Sequence, residues 1–179
     1  MKRMKIIYTG FLLAAVLLAP SCGKLDKLIQ FNLTYNVKVV IPSSTGINLP
    51  FDVLTPEVET NSEASFKAND TRKDLIEEIL LEELILTIDA PAGEDFSFLK
   101  NATVYIKAKG LDELEVATIT DVKENSSELK LQPSSLNIAP YIKAEEFSLR
   151  LKAVTDELMS KDYTINIYSN FWVHAKLLN

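Results

Sequence analysis

The 179-residue chain has one cysteine, Cys22, and one histidine, His174. A single cysteine excludes a disulfide within the chain, so an exported form of it has to rest on its hydrophobic core. One Cys and one His are too few ligands for a Cys/His zinc site. A serine triad would need His174 with a carboxylate beside it, and His174 falls in the middle of a strand pattern, on the face shared by Asn170, Trp172 and Lys176. Glycine is scarce, with five residues, and no phosphate-binding loop, dinucleotide fingerprint or nucleophile elbow occurs. Long apolar runs are missing too. The longest, residues 6–19, is interrupted by Thr9 and Gly10 and is shorter than the ~20 residues that a membrane-spanning helix needs. These absences point away from an enzyme, and no catalytic residue, metal or cofactor is assigned.

What is present starts at the N-terminus. Lys2, Arg3 and Lys5 precede the apolar run, and small residues follow it, which is the three-part layout of a secretory signal. Its end, Leu18-Ala19-Pro20-Ser21-Cys22-Gly23, resembles a bacterial lipobox, although Pro20 departs from the commonest consensus. In this respect the chain is similar to the lipoproteins of Bacteroidota-type Gram-negative bacteria. The resemblance implies that residues 1–21 are removed, that Cys22 is acylated and becomes the first residue, and that the protein is exported and held at the envelope, on the outer membrane, facing either side. Two or three acyl chains at ~0.8 kcal/mol per buried methylene anchor a protein stably. Residues 22–30 then form the lipidated cysteine and a short tether, and residues 31–179 one domain.

Removing Lys2, Arg3 and Lys5 with the signal leaves 16 basic against 25 acidic residues, a net charge of −9. That balance repels nucleic acid and anionic headgroups. The expected partners are the membrane, through the acyl chains, and a protein or glycan.

The domain reads as strands. In residues 31–41, Phe31, Leu33, Tyr35, Val37, Val39 and Ile41 alternate with polar residues until Pro42, which has no N–H to give to a ladder. Residues 43–56, with Pro50 and Pro56, read as a packed loop with extended pieces, and 57–66 as a second strand. Thr71 with Asp74 approximates a capping box, and Leu75, Ile76, Ile79 and Leu80 follow at helical spacing, so one helix is expected over 71–81. Further strands are expected at 84–88, 102–109, 114–120, at a short edge strand around Leu129 and Leu131, at 147–153 and at 163–178, with a helical turn opened by Pro140. This is a mainly β chain of about seven to eight strands, an antiparallel sandwich. Its alternation resembles Ig-like and LEA-type-2-like sandwiches over residues 31–178, a resemblance that carries no functional residue with it.

Two surface features stand out. Asp74, Glu77, Glu78, Glu82 and Glu83 form an acidic cluster, expected on the solvent face of the helix. On the last strand Ile165, Ile167 and Phe171 face one way, so Tyr168, Trp172 and His174 face the other. Four residues of strand put Tyr168 ~13 Å from Trp172. Such a row can stack on sugars or anchor a protein, unless the 43–56 loop covers it. Three readings follow: a non-enzymatic binding or scaffolding lipoprotein, a carbohydrate-binding accessory lipoprotein, and a small hydrolase, which needs carboxylates clustered in a cleft.

Overall fold

The computed structural model describes residues 27–43, 48 and 50–178. The expected signal (residues 1–21), Cys22 and residues 23–26 of the expected tether lie outside them. The elements in order are β1 (Leu28–Ile41), β2 (Pro50–Leu54), β3 (Val58–Glu59), α1 (Ser62–Ala68), a 3-10 turn (Lys73–Leu75), β4 (Ile76–Ala90), β5 (Leu99–Ala108), β6 (Leu114–Ile119), β7 (Glu128–Pro133), α2 (Ala139–Ile142), β8 (Glu146–Thr155) and β9 (Tyr163–Lys176). The chain is mainly β, and all of its strand pairs are antiparallel.

The strands follow one path, β1-β9-β4-β7-β6-β5-β8-β2, with β3 also on β8. The path curls into two facing halves. They join where β6 meets β7 over two residue pairs, Ala117 with Pro133 and Thr118 with Gln132. A sandwich resemblance suggests two separate sheets; here one sheet folds over on itself. The halves meet through aromatic rings. Tyr35 of β1 meets Phe147 of β8 edge-on at 5.3 Å, and Phe147 meets Phe171 of β9 at 6.1 Å. One end is closed by α1, whose buried Phe66 packs on Phe31 at 6.3 Å.

The first and last strands pair along the full length of β1, from Leu28 opposite Lys176 to Ile41 opposite Tyr163. Leu28, Ile29 and Gln30 are therefore strand rather than tether, because β9 offers them partners. β9 lies inside the sheet and β1 at its edge. β7 is not an edge strand: it lies between β4 and β6. It pairs with β4 only from Leu84 to Thr87. Nearer the start of β4, Ile79 instead gives its N–H to Asn137 Oδ1 (3.1 Å) and accepts from Ile138 N–H (2.9 Å).

The helix expected over 71–81 does not form. Helix α1 lies earlier, overlapping the end of the expected second strand (57–66), and 76–90 is strand β4. The reason is local. The ladder of β4 on β9 slips at Glu77, at Glu82 and at Asp89, each of them one extra residue in a β-bulge. Each extra residue lets apolar side chains three apart point the same way, so Ile76 and Ile79, and then Leu81 and Leu84, are all buried. The first bulge thus spaces Ile76 and Ile79 as a helix would. The Thr71 hydroxyl, read as a cap, donates to the Lys176 carbonyl at 2.6 Å and ties the turn to the end of β9.

Candidate binding surface

β9 alternates without a break: Tyr163, Ile165, Ile167, Ser169, Phe171, Val173 and Ala175 are buried, and the residues between them are half-buried. Tyr168, Trp172 and His174 therefore share the outer face, as the periodicity predicts. Trp172 and His174 lie ring beside ring, 5.5 Å apart and tilted by 32°. The neighbouring strands supply the flanks. Across to β1, His174 faces Gln30, Trp172 faces Asn32, Asn170 faces Thr34 and Tyr168 faces Asn36. Across to β4, the same four face Glu78, Leu80, Glu83 and Ile85. Among the described residues of the 43–56 stretch, β2 pairs with β8 in the other half, and Asn48 N–H bonds Thr155 O there.

The three bulge residues of β4 are all acidic, and each reaches sideways on this face. Glu77 pairs with Lys176 at 3.1 Å. Glu82 reaches across β9, its Oε2 accepting from Asn32 Nδ2 at 2.8 Å and from Asn170 Nδ2 at 3.1 Å. Asn32 Nδ2 is also 3.0 Å from Asn170 Oδ1. Asp89 pairs with Lys38 of β1, again across β9. The outer face is thereby divided. Trp172 and His174 lie between the Glu77 and Glu82 bridges, and Tyr168 between those of Glu82 and Asp89. The acidic cluster of the sequence is thus dispersed. Asp74 pairs with Arg72 at 2.7 Å, Glu83 pairs with Lys130 of β7, and the other members lie along β4. Asn32 and Asn170 are the members of the site that the sequence reading passed over; their signal was a run of amides on the polar face of two strands.

Elsewhere a concavity of about 560 Å³ is lined by Glu59, Glu63, Glu145 and Glu146 beside Thr60 and Lys73. Glu63 pairs with Lys73 at 3.5 Å, and Glu59, Glu63 and Glu145 are exposed. Among the described residues no group of three His, Cys, Asp or Glu is arranged to hold a metal ion, and no helix is long and apolar enough to cross a membrane.

No protein-family model matches the sequence, and no curated protein does. Among solved structures, the chain is similar at 11% identity and TM-score 0.31 to one from Desmodium yellow mottle tymovirus, covering 84% of this chain and 91% of that one. An empty head of turnip yellow mosaic virus gives 14% and 0.25, with 83% and 84% covered. A structure of carbohydrate-binding modules from the β-sandwich superfamily gives 14% and 0.28, with 88% of this chain and 59% of that one covered. Scores of this size decide nothing about function.

Proposed function

We propose that this protein is a non-enzymatic binding module, held at a bacterial envelope by acyl chains on Cys22, and that its ligand is a glycan lying on the outer face of β9. The observation that carries the reading is the half-exposed row of Tyr168, Trp172 and His174 on the outer face of β9, flanked by amides and carboxylates. Aromatic rings give flat apolar area to the C–H faces of sugars. Asn and Glu side chains give fixed donors and acceptors to their hydroxyls.

The hydrolase reading draws on the glutamate-lined concavity. A general acid there would need a carboxyl kept protonated by an apolar setting, and Glu59, Glu63 and Glu145 stand in solvent. The open sheet face is the better-built surface. Affinity electrophoresis of the full chain through a panel of neutral and acidic polysaccharides tests the reading. Retardation by at least one polysaccharide, lost in Trp172→Ala, is expected. Equal mobility through every gel would overturn it.

A further inference from the structure

We infer that the bulge at Glu82 exists to put a carboxylate at the centre of this surface, and that the surface takes an uncharged oligosaccharide. The inference rests on the glycan reading and narrows it. In a regular ladder β4 would present one outward residue between Leu81 and Leu84. The bulge presents two, Glu82 and Glu83. Bulges re-aim side chains in this way. Glu83 is held aside by Lys130, whereas Glu82 lies over Asn170, midway between Trp172 and Tyr168 on β9.

Its bonds leave capacity. Both Asn contacts fall on Oε2, and a carboxylate offers about four lone-pair sites on two oxygens. A sugar chain running along β9 would stack at Trp172, give hydroxyl protons to Glu82 at Asn170, and stack again at Tyr168. The ~13 Å between the rings calls for several sugar units rather than one.

Charge selects the class. Glu77, Glu78, Glu82, Glu83 and Asp89 lie along this face, and its lysines Lys38, Lys130 and Lys176 are paired with Asp89, Glu83 and Glu77. A uronate or sulfated chain would set its anions against Glu82 and find each of these cations with a carboxylate partner. Like charges brought together in this way disfavour the wrong ligand.

Trp172 is the only tryptophan in the chain, so intrinsic fluorescence reports from the site itself. The full chain is titrated with cellohexaose, maltohexaose, laminarihexaose, N-acetylchitohexaose and, as the acidic arm, hexagalacturonate. A saturable change with at least one neutral hexamer and none with hexagalacturonate is expected. Glu82→Ala should weaken binding at least tenfold. Glu82→Gln, which keeps the shape and the bonds from Asn32 and Asn170, should weaken it several-fold. If hexagalacturonate binds as well as the neutral sugars, or if both variants bind like wild type, the inference falls while the glycan reading stands. If no sugar changes the emission, both fall.

Discussion

Glu82 and Asn32 are fifty residues apart in sequence, lie on strands that do not pair, and share a 2.8 Å hydrogen bond across the width of β9. Only a residue added to the ladder makes this reach without turning the rest of β4 over. Strand side chains alternate with a period of two, so a one-residue change inside a regular stretch flips everything beyond it. At a bulge the opposite holds. Deleting Glu82 leaves Leu81 inward, Glu83 outward and Leu84 inward, which is regular alternation.

The deletion variant lacking Glu82 should therefore fold. Its loss is an exposed charge-assisted contact worth up to ~1 kcal/mol, or about 2–4 °C of melting temperature at this size. Removing Ile85 instead turns Leu86 outward, and Leu86 is fully buried. Losing one such side chain costs ~2–5 kcal/mol. Thermal melts of the two single-residue deletions decide it; equal losses would mean that Glu82 is not a bulge.

Two tyrosines give the fold an alkaline limit. Burial pushes the Tyr35 hydroxyl up to about 12; it donates to Thr60 O at 2.7 Å. Burial, and then the hydrogen bond to Glu94 (3.1 Å), pushes Tyr163 up to about 12 as well. An unfolded tyrosine ionises near 10. Below that value both contributions are whole. As pH rises from 10 to 12 the unfolded chain loses protons that the folded chain keeps, so stability falls. Glu94 has the opposite sign: the hydrogen bond from Lys161 (2.6 Å) holds its carboxyl below the usual range. Its contribution is present above the ordinary carboxylate pKa and lost as pH falls through the folded one. Absorbance titration at 295 nm should show Tyr35 and Tyr163 still protonated in the folded chain at pH 10 and ionising only with unfolding. Their ionising at pH 10 in the folded chain would refute the assignment.

Much of this was legible from periodicity. The alternation in β1 and β9 places Phe31, Tyr35, Ile167 and Phe171 inward and Tyr168, Trp172 and His174 outward, because one face of each strand is buried and the other is not. The start of β4 imitates a helix because the bulge at Glu77 puts Ile76 and Ile79, three apart, on one face, with Leu75 and Leu80 beside them in sequence. Residues 62–68 were misread in reverse: Ser62 and Phe66, the buried pair of α1, also fit a period of two. The Glu82 bridge was out of reach, since it depends on which strands flank β9. Strand order comes from tertiary pairing, and no local pattern encodes it.

Anchoring and folding are separable. Cys22 lies outside the described residues, and the lipobox resemblance is its support. Mass spectrometry of the membrane fraction should find Cys22 acylated and N-terminal, and Cys22→Ser should leave the membrane. Neither EDTA nor a reductant should move the melting temperature of the full chain. A fall of more than ~5 °C, about 2 kcal/mol at this size, would reveal a metal or a cross-link that the fold depends on.

Phe171 and Trp172 are neighbours in sequence and opposites in setting. Phe171 is 1% exposed, edge-on to Tyr35 at 5.7 Å and to Phe147 at 6.1 Å. Phe171→Ala removes buried area and leaves a cavity, at ~3–5 kcal/mol. A domain of this kind has ~5–15 kcal/mol in all, so that variant should accumulate poorly. Trp172 lies on the solvent side with Asn32 and Leu80 as its flanks, and its loss should cost ~1 kcal/mol or less. Between them in kind is Ser169, fully buried, with a hydroxyl that has no hydrogen-bond partner among the described residues. An unpaired buried polar group costs ~1–3 kcal/mol, so Ser169→Ala should hold stability level or raise it. Chemical denaturation of the three variants ranks them. Should Trp172→Ala fall as far as Phe171→Ala, the indole is part of the packing and the outer face of β9 is not free to receive a ligand.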